Sequence, residues 1–295
     1  MACYHPLLAY RSGGKVVFHK PYPFAKGFNL PCGQCIGCRL NYSRQWAVRC
    51  VHEAQMHKHN SFITLTFNPE ELEKRDSPWS LDVRDYQLFM KRLRKKHKKT
   101  IRFFHCGEYG DKNKRPHYHA LLFGHDFPDR RLFRERDGIK LYTSTELEEL
   151  WPYGFSTVGE LTFQSAAYTA RYIMKKHKGE GKDEHYTTTD PRTGEIHKIQ
   201  PEYCTMSRRS GLGYDWFQKY KDDVYPNDYV ICNGHEIKPP RYYDSLLPEH
   251  ELLAIKKKRQ EAADDPITDY DDRMDRLFVE EEVKIRKLET LVRNL

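Results

Sequence analysis

Two histidines separated by a single residue, His117 and His119, are the first candidates for chemistry in this sequence. They lie in the run HYHALLFG, which has the composition of a β-strand. Because alternate residues of a strand point to the same face, both imidazoles would share one side of a sheet, with Tyr118 on the other. Paired imidazoles can hold a divalent metal ion. In a chain with 15 histidines, such a pair can also be incidental.

An acidic residue upstream favours the metal interpretation. Glu108 ends the preceding predicted strand, IRFFHCGE, and a hairpin would bring it back beside His117. Two imidazoles and one carboxylate form an open three-ligand site that leaves positions for phosphate oxygens. The sequence therefore predicts that His117, His119 and Glu108 are metal ligands. The alternative for Glu108 is a solvated strand end.

The run YTARYIMKK, residues 168–176, supplies candidate nucleophiles. On a helix, Tyr168 and Tyr172 lie one turn apart on a shared face. Lys175 follows close to Tyr172, and Lys176 is in line with both tyrosines. A tyrosine hydroxyl has a pKa of about 10, so its attack on phosphorus would need a nearby ammonium and a metal-polarised phosphate. The alternative is an amphipathic helix with two core tyrosines and a basic outer face.

The elements that must position these residues alternate between strand and helix. β-branched or alternating runs that stop at turn residues predict strands at 61–67, 101–108, 117–124 and 154–161. Apolar residues that recur every three or four positions predict helices at 41–58, 81–98 (with Asp82 as N-cap) and 165–177. Strands joined by a hairpin and interleaved with helices predict an α+β fold, with an antiparallel sheet and helices on one face.

A basic run, Lys91–Lys99, holds seven basic residues besides its histidine. Such a run can follow a DNA backbone and bind it with strongly salt-dependent affinity. Arg115, beside the histidine strand, can position a phosphate. The alternative for the run is the solvated face of a helix. The predicted DNA contacts are Arg92, Arg94, Lys95, Lys96, Lys98, Arg115 and Lys176.

Three of the eight cysteines are clustered as Cys32-x-x-Cys35-x-x-Cys38. This spacing allows thiolate ligation of structural zinc, and the candidates for a fourth ligand are Cys3, His5 and Cys50. Reduced, unligated thiols are the alternative.

Other cysteine chemistry is less well supported. A ferredoxin cluster run would place its next cysteine at position 42, where Tyr42 stands. Cys106, Cys204 and Cys232 are isolated in sequence and are interpreted as core or surface thiols.

The overall composition narrows the class of protein. The formal net charge of +8, from 50 basic and 42 acidic residues, is compatible with nucleic-acid binding or with simple solubility. No apolar run approaches the roughly 20 residues that span a bilayer. The N-terminus lacks the charged start and apolar stretch of a signal peptide. We therefore expect no membrane association and a reducing compartment, in which clustered cysteines indicate metal rather than disulfides.

These motifs together resemble a known family. The strand FITLTF, the His-hydrophobe-His strand with an upstream Glu, and the Tyr-x-x-Lys helix occur in the order used by HUH-class rolling-circle replication initiators. The doubled spacing Tyr-x-x-x-Tyr-x-x-Lys-Lys is similar to that of the two-tyrosine initiators of microviruses. The run PCGQCIGCRLNYSRQWAVRCVHEAQM, residues 31–56, is similar to the gokushovirus branch. The resemblance covers roughly residues 30–180.

The resemblance implies an HUH endonuclease fold, with a central antiparallel sheet of the RRM or ferredoxin-like type flanked by helices. It implies a site-specific endonuclease and ligase that acts on single-stranded DNA at the replication origin of a small circular phage genome, in the host bacterial cytoplasm. His117, His119 and Glu108 would bind Mg²⁺ or Mn²⁺. Tyr168 and Tyr172 would be nucleophiles, assisted by Lys175. The products would be a 5′-phosphotyrosine and a free 3′-hydroxyl.

Three regions follow from this interpretation: a cysteine-containing arm at 1–40, the endonuclease core at 41–180, and a C-terminal extension with a charged helical tail at 181–295. Host helicase and DNA polymerase are candidate partners. Two other functions are retained as alternatives. One is a non-catalytic, zinc-stabilised DNA-binding protein, which leaves the ordered histidines and tyrosines to chance. The other is a metallohydrolase, which would not need the paired tyrosines.

Overall fold

A computed structural model describes residues 3–110, 114–136, 138–175, 182–189, 194–225, 227–261 and 270–289. The strands are β1 Leu7–Ser12, β2 Lys15–Val17, β3 Phe28–Leu30, β4 Asn60–Phe67, β5 Arg102–Tyr109, β6 Pro116–Phe123, β7 Arg131–Arg136, β8 Ile139–Thr143, β9 Gly154–Gly159, β10 Thr187–Thr189, β11 Ile196–Lys198, β12 Tyr203–Met206, β13 Val230–Cys232 and β14 His235–Ile237. The helices are α1 Ile36–Gln55, α2 Pro69–Glu73, α3 Val83–His97, α4 Thr145–Leu150, α5 Phe163–Lys175, α6 Lys182–His185, α7 Tyr214–Val224, α8 Arg241–Asp244, α9 Glu249–Glu261 and α10 Tyr270–Glu289.

The chain folds as two compact units. One unit combines residues 1–44 with residues 248–295, and the other comprises residues 45–247. This division differs from the three regions expected from the sequence, because it groups the cysteine-containing arm with the C-terminal tail. The three-part division stays a prediction.

A seven-stranded sheet dominates the 45–247 unit. Its strand order is β12-β5-β6-β4-β9-β8-β7, and every neighbouring pair is antiparallel. The predicted α+β class with a large antiparallel sheet flanked by helices is therefore confirmed. The irregular region that follows residue 179 contributes an unexpected member, since β12 extends the sheet beside β5.

One face of this sheet packs against α3 and α4. The odd-numbered residues of β4 and the even-numbered residues of β6 share a core with the apolar stripe of α3. The members of this core include Ile63, Leu65, Phe67, Tyr118, Ala120, Leu122, Tyr86, Phe89, Met90, Leu93, Leu147 and Leu150. The predicted N-cap of α3 is confirmed, because the Asp82 side chain accepts a hydrogen bond from the backbone N–H of Arg84.

Helices also cover the other face, so the expectation of helices on one face alone was wrong. Tyr168 of α5 packs edge-on against Phe62 of β4, and Trp46 of α1 lies 5.3 Å from Phe104 of β5 between ring centroids. The reason lies in the strands themselves. Phe62 and Phe104 are large apolar residues that alternate with the α3-facing ones, and their burial requires a second layer.

The smaller unit contains little apolar core in its N-terminal part. Its three-stranded sheet has the order β2-β1-β3, where the sequence predicted an arm with little regular structure. Over residues 3–44, the buried hydrophobic side chains are those of Tyr4, Ala9 and Cys35. The predicted amphipathic tail helix is present as α10. Two of its four apolar marker residues, Val292 and Leu295, lie outside the described residues.

Across the described residues, no helix has both the length and the apolar character needed to cross a bilayer.

Candidate active site

The register of the main sheet places the predicted acidic and histidine residues in one row. Glu108, His117, Thr66 and Phe155 are successive direct partners across β5, β6, β4 and β9. Directly opposed residues in antiparallel strands point to the same face. The predicted hairpin return is therefore present, with Glu108 beside His117.

The adjacent row contains the second histidine. Cys106, His119, Thr64 and Thr157 are the successive partners there. His119 is buried, and its ring is held at both nitrogens. Nε2 donates to Oε1 of Glu108 at 2.8 Å, and Nδ1 hydrogen-bonds with the Thr64 hydroxyl at 2.9 Å. A polar partner at the second nitrogen holds an imidazole in a single orientation, as in metal-binding histidines generally.

The turn before β6 orients His117. Its Nδ1 donates to the carbonyl oxygen of Arg115 at 2.6 Å, which leaves Nε2 as the unprotonated ring atom. Gly110 makes room for this ring, because a Cβ there would lie 2.8 Å from Cε1 of His117. Burial, and then the neighbouring His119, lower the pKa of His117. The ring is therefore neutral at pH 7, which is the form that binds a metal ion.

The three predicted ligands are less tightly grouped than a metal-bound set would be. The parallel rings of His117 and His119 lie 6.5 Å apart between centroids, while Glu108 bonds to His119 alone of the two. In the described part of the chain, the sets whose potential ligand atoms all lie within 4.8 Å are Cys3–Cys32–Cys35–Cys38 and His97–His125–Glu146. Rotation of the Glu108 side chain towards its cross-strand partner His117 would bring the carboxylate between the two imidazoles.

Helix α5 brings a tyrosine to the histidine pair. The Tyr168 ring meets His119 edge-on, with 5.3 Å between ring centroids and 88° between planes. Only 7% of Tyr168 is exposed. The guanidinium carbon of Arg171 lies 5.9 Å from the centre of the Tyr168 ring. One predicted nucleophile is thus adjacent to a predicted metal ligand.

The remaining catalytic predictions fall partly beyond what the structure describes. Tyr172 and Lys175 belong to α5, one and two turns beyond Tyr168, but their side chains lie outside the described residues. Lys176 lies outside them entirely.

The basic run is not brought to this site, since α3 packs on the opposite face of the sheet. Arg92 Nε donates to the carbonyl oxygen of Leu150 at 2.9 Å, and Arg94 Nη2 donates to that of Ile101 at 2.7 Å. Lys96 pairs with Glu149 at 2.9 Å; Lys95 and Lys98 are exposed on the same helix end. A DNA contact by these residues stays a prediction, and it would be a second contact remote from the histidines.

Arg115, by contrast, lies at the site. Its Nη1 donates to the carbonyl oxygen of Phe67 at 3.3 Å, and its own carbonyl orients His117. Two residues that were not predicted also lie on this face. Thr64 holds His119, and Phe155 stands at the end of the first row with 63% of its surface exposed. Alternation within the run FITLTF was the available signal for Thr64. Strand pairing alone reveals Phe155.

The second compact set, His97, His125 and Glu146, was also not predicted. His97 ends α3, and its Nε2 donates to Glu146 of α4, with the His125 ring 4.4 Å from the His97 ring between centroids. This contact ties the two helices of the α3 face together. Its members are far apart in sequence, so no local pattern indicated it.

The cysteines divide into two sets. Cys3, Cys32, Cys35 and Cys38 converge in the smaller unit. The interpretation of Cys106 and Cys204 as isolated was wrong. They are direct partners across β5 and β12, because the irregular region after residue 179 returns to the sheet edge. Cys232 is buried in a small cluster with Val48, Val224 and Val230.

Comparison with known proteins adds independent information. The model of a family of replication-associated proteins of the ORF2 type matches residues 60–177. The chain is 34% identical over 256 residues to replication-associated protein VP4 of Bdellovibrio phage phiMH2K, a match that covers 82% of this chain and 76% of the relative. It is 32% identical over 292 residues to replication-associated protein ORF2 of Spiroplasma virus 4, covering 89% and 87%. No solved structure gives a significant match.

Proposed function

This chain belongs to the family of phage replication-associated proteins, and on that premise we propose that it initiates rolling-circle replication by cutting single-stranded DNA with a tyrosine and later rejoins the strand. The observation that carries the proposal is the convergence of Tyr168, His119 and Glu108 on one face of the sheet. A nucleophile, an imidazole and a carboxylate from three different elements meet there. Neither a DNA-binding protein nor a structural sheet needs that combination.

The topology supports an HUH-type endonuclease core. Taken in chain order, β4, α3, β5, β6, α4 and β9 form a β-α-β-β-α-β unit with the sheet order β5-β6-β4-β9 and both crossover helices on one face. This is the ferredoxin-like arrangement that the sequence resemblance implies. The histidine strand β6 lies at its centre, and α5, which carries the proposed nucleophiles, follows its last strand on the opposite face.

The donor set fits Mg²⁺ or Mn²⁺. Glu108 supplies the hard oxygen ligand that both ions favour, and the two imidazoles are better suited to Mn²⁺. His117 has an available Nε2, and His119 shares a proton with Glu108 that an ion would replace. We therefore propose that His117, His119 and Glu108 hold the ion. When bound, it would act as a Lewis acid on the scissile phosphate.

The protein's own residues then perform the transfer. The hydroxyl oxygen of Tyr168 or Tyr172 attacks phosphorus and loses its proton. The bond from phosphorus to the 3′ oxygen breaks, and that oxygen takes up a proton. The products are a 5′-phosphotyrosine and a free 3′-hydroxyl. Because the phosphotyrosine conserves the diester energy, attack by a 3′-hydroxyl on it reverses the step and joins the strand.

The sheet face beside the histidines has the features of a strand-binding surface. Phe155 is an exposed aromatic ring two strands from His117, which is about 10 Å away at the usual strand spacing. Unpaired bases stack on such rings. Arg115 and Arg171 lie close to the histidines and the tyrosine, where guanidinium groups can hold phosphates.

This activity places the protein in the host bacterial cytoplasm, acting at the origin of a circular single-stranded genome. The 3′-hydroxyl product is a primer terminus for a host DNA polymerase. A helicase must open the duplex ahead of that polymerase. We propose both as partners on the basis of the chemistry.

The test is an adduct assay. Full-length protein is incubated with Mn²⁺ and labelled single-stranded oligonucleotides that tile the encoding genome, and the products are resolved on a denaturing gel. We expect one oligonucleotide to give a covalent adduct, and mass spectrometry to place the phosphate on Tyr168 or Tyr172. The Tyr168→Phe/Tyr172→Phe double variant should give none. The control Tyr220→Phe, on α7, should behave as the parent.

Two outcomes would overturn the proposal. Cleavage without an adduct would identify a metallohydrolase that activates water. Retention of DNA without cleavage at any position would identify a non-catalytic binding protein.

A further inference from the structure

The four cysteines of the smaller unit form a site that the replication chemistry does not use. We infer that Cys3, Cys32, Cys35 and Cys38 bind one structural zinc ion. Their sulfur atoms all lie within 4.8 Å of one another, and the Sγ atoms of Cys3 and Cys35 are 3.9 Å apart. Tetrahedral zinc with Zn–S bonds of about 2.3 Å places its sulfurs about 3.8 Å apart. The cysteines therefore already have the spacing that zinc requires.

Backbone N–H groups point at these sulfurs in the manner expected for thiolates. Cys32 N donates to Cys3 Sγ at 3.2 Å, and Cys35 N donates to Cys32 Sγ at 3.3 Å. Tyr4 N and Cys38 N donate to Cys35 Sγ at 3.4 and 3.5 Å. Hydrogen bonds to the ligand sulfurs stabilise their negative charge and orient them for a metal ion.

The structure selects the fourth ligand among three candidates. Cys50 lies on α1 twelve residues beyond Cys38, about 18 Å along the helix axis, and is fully buried. His5 is engaged elsewhere, because its Nε2 donates to Glu281 at 2.6 Å. Cys3 alone of the three joins the cluster, which completes a four-thiolate set typical of structural rather than catalytic zinc.

The surroundings explain why such an ion would be needed. Cys3 precedes β1 and Cys32 follows β3, while Cys38 lies in the first turn of α1. One ion would thus join the start of the chain, the end of the small sheet and the beginning of a helix. The sheet has few buried apolar side chains, and Leu7, Leu8 and Phe18 are exposed. Small units that lack a sufficient core are commonly stabilised by a metal ion or by disulfides.

Disulfides are the alternative, and the geometry disfavours them. All eight cysteines are free. The Cys3–Cys35 sulfur separation of 3.9 Å is nearly twice the roughly 2.05 Å of a disulfide. Four sulfurs converging on one point, with backbone donors directed at three of them, match a shared ion rather than two pairwise bonds.

Metal analysis tests the inference on full-length protein. Protein purified without chelator and dialysed should retain about one zinc per chain. Cys32→Ser and Cys3→Ser should each lose most of it. The matched controls are Cys204→Ser, a cysteine of the main sheet, and His97→Gln, which removes a member of the compact histidine set. Both should keep the zinc.

A spectroscopic measurement makes the test independent of folding of the variants. Parent protein whose metal is exchanged for Co²⁺ should show thiolate-to-cobalt charge transfer and the intense visible bands of a tetrahedral ion, and the His117→Ala/His119→Ala variant should show the same spectrum. Zinc lost from His97→Gln but retained in Cys32→Ser would overturn the assignment. So would parent protein whose cysteines alkylate fully with no bound metal, or that contains iron and sulfide instead.

Discussion

Glu108 and His119 are joined by a hydrogen bond of 2.8 Å between Oε1 and Nε2, although the direct cross-strand partner of Glu108 is His117. The carboxylate therefore reaches diagonally across the hairpin to the more deeply buried of the two histidines. This leaves Nε2 of His117, whose other nitrogen is bound to Arg115, as the available imidazole lone pair at the site. A bound ion would replace the proton that Glu108 and His119 share.

Removal of either histidine should abolish cleavage and spare DNA binding. We expect His117→Ala and His119→Ala to lower the rate of adduct formation by about 100-fold or more, because several kcal/mol of Lewis-acid stabilisation is lost. The Kd for single-stranded DNA should stay within about threefold, since contacts to phosphates supply most non-specific affinity. His59→Ala, an exposed histidine before β4, is the control. Unimpaired adduct formation by the double histidine variant would contradict the metal assignment.

Loss of charge at Glu108 should be milder than loss of a histidine. Glu108→Gln keeps the size of the side chain and an oxygen that can accept from His119, but it removes the negative charge that an ion would share. We expect the Mn²⁺ concentration for half-maximal cleavage to rise by about 10- to 100-fold. Titration of cleavage against Mn²⁺ measures this. An unchanged titration would show that Glu108 only supports the imidazole.

Thr64 should act by positioning His119 and not by contact with DNA. Thr64→Val preserves shape while removing the hydroxyl bound to Nδ1, so the ring loses its fixed orientation. We expect the Mn²⁺ concentration for half-maximal cleavage to rise about tenfold, with little change in DNA affinity. Thr157→Val, which changes the direct partner of Thr64 on β9, is the matched control. Equal effects of the two changes would argue against a specific role for Thr64.

The two tyrosines should divide the reaction between them. After one round of replication the origin must be cut again while the first 5′ end is still attached, and a second tyrosine about 5–6 Å away on the same helix face can make that cut. Each single Tyr→Phe variant should still form an adduct on a simple origin oligonucleotide but fail to release closed circles. We expect Tyr172 to matter more for the first cut, because Lys175 lies three residues beyond it.

The burial of Tyr168 makes the contrary result informative. If Tyr168→Phe supports repeated rounds with normal circle closure, Tyr168 is a packing residue against His119 and Phe62, and the enzyme has a single nucleophile. Release of labelled circles over several rounds distinguishes the two cases.

Phe155 should contribute to single-strand affinity. Stacking of one base on an aromatic ring contributes about 1–3 kcal/mol, so Phe155→Ala should weaken binding by roughly tenfold or more without loss of stability. Phe133→Ala is the matched control, because Phe133 has almost the same exposure, 64% against 63%, on the edge strand β7. Fluorescence anisotropy with a labelled oligonucleotide measures both. Equal losses would place the DNA elsewhere.

Stability should fall in acid because a histidine is buried as the neutral form. Burial lowers the pKa of His52 to about 3, against about 6.5 in an unfolded chain. Its contribution is complete above pH 6.5 and is lost as the pH falls towards 3, by about 1.4 kcal/mol per pH unit. Denaturant unfolding between pH 7 and pH 5 should therefore be less pH-dependent in His52→Gln. The exposed His250→Gln should retain the full dependence.

Periodicity carried much of the site prediction. Alternation along HYHALLFG predicted that His117 and His119 share a face, and the turn before it predicted the return that places Glu108 beside them. Both depend only on residues close in sequence, for which backbone geometry dictates side-chain direction. The N-cap of α3 at Asp82 was predictable for the same reason, since it is a contact over two residues.

What required the tertiary structure was every relationship between distant segments. The basic run is just as basic in sequence as in space, but the burial of the apolar stripe of α3 turns it to the face away from the histidines. The choice of Cys3 over His5 and Cys50 depends on how the chain folds back between β1 and α1. Phe155 becomes part of the site only because β9 pairs with β4. The sequence by itself determined which residue types share a strand or a helix face, because that is local geometry; packing of the apolar surfaces decided which of those faces meet.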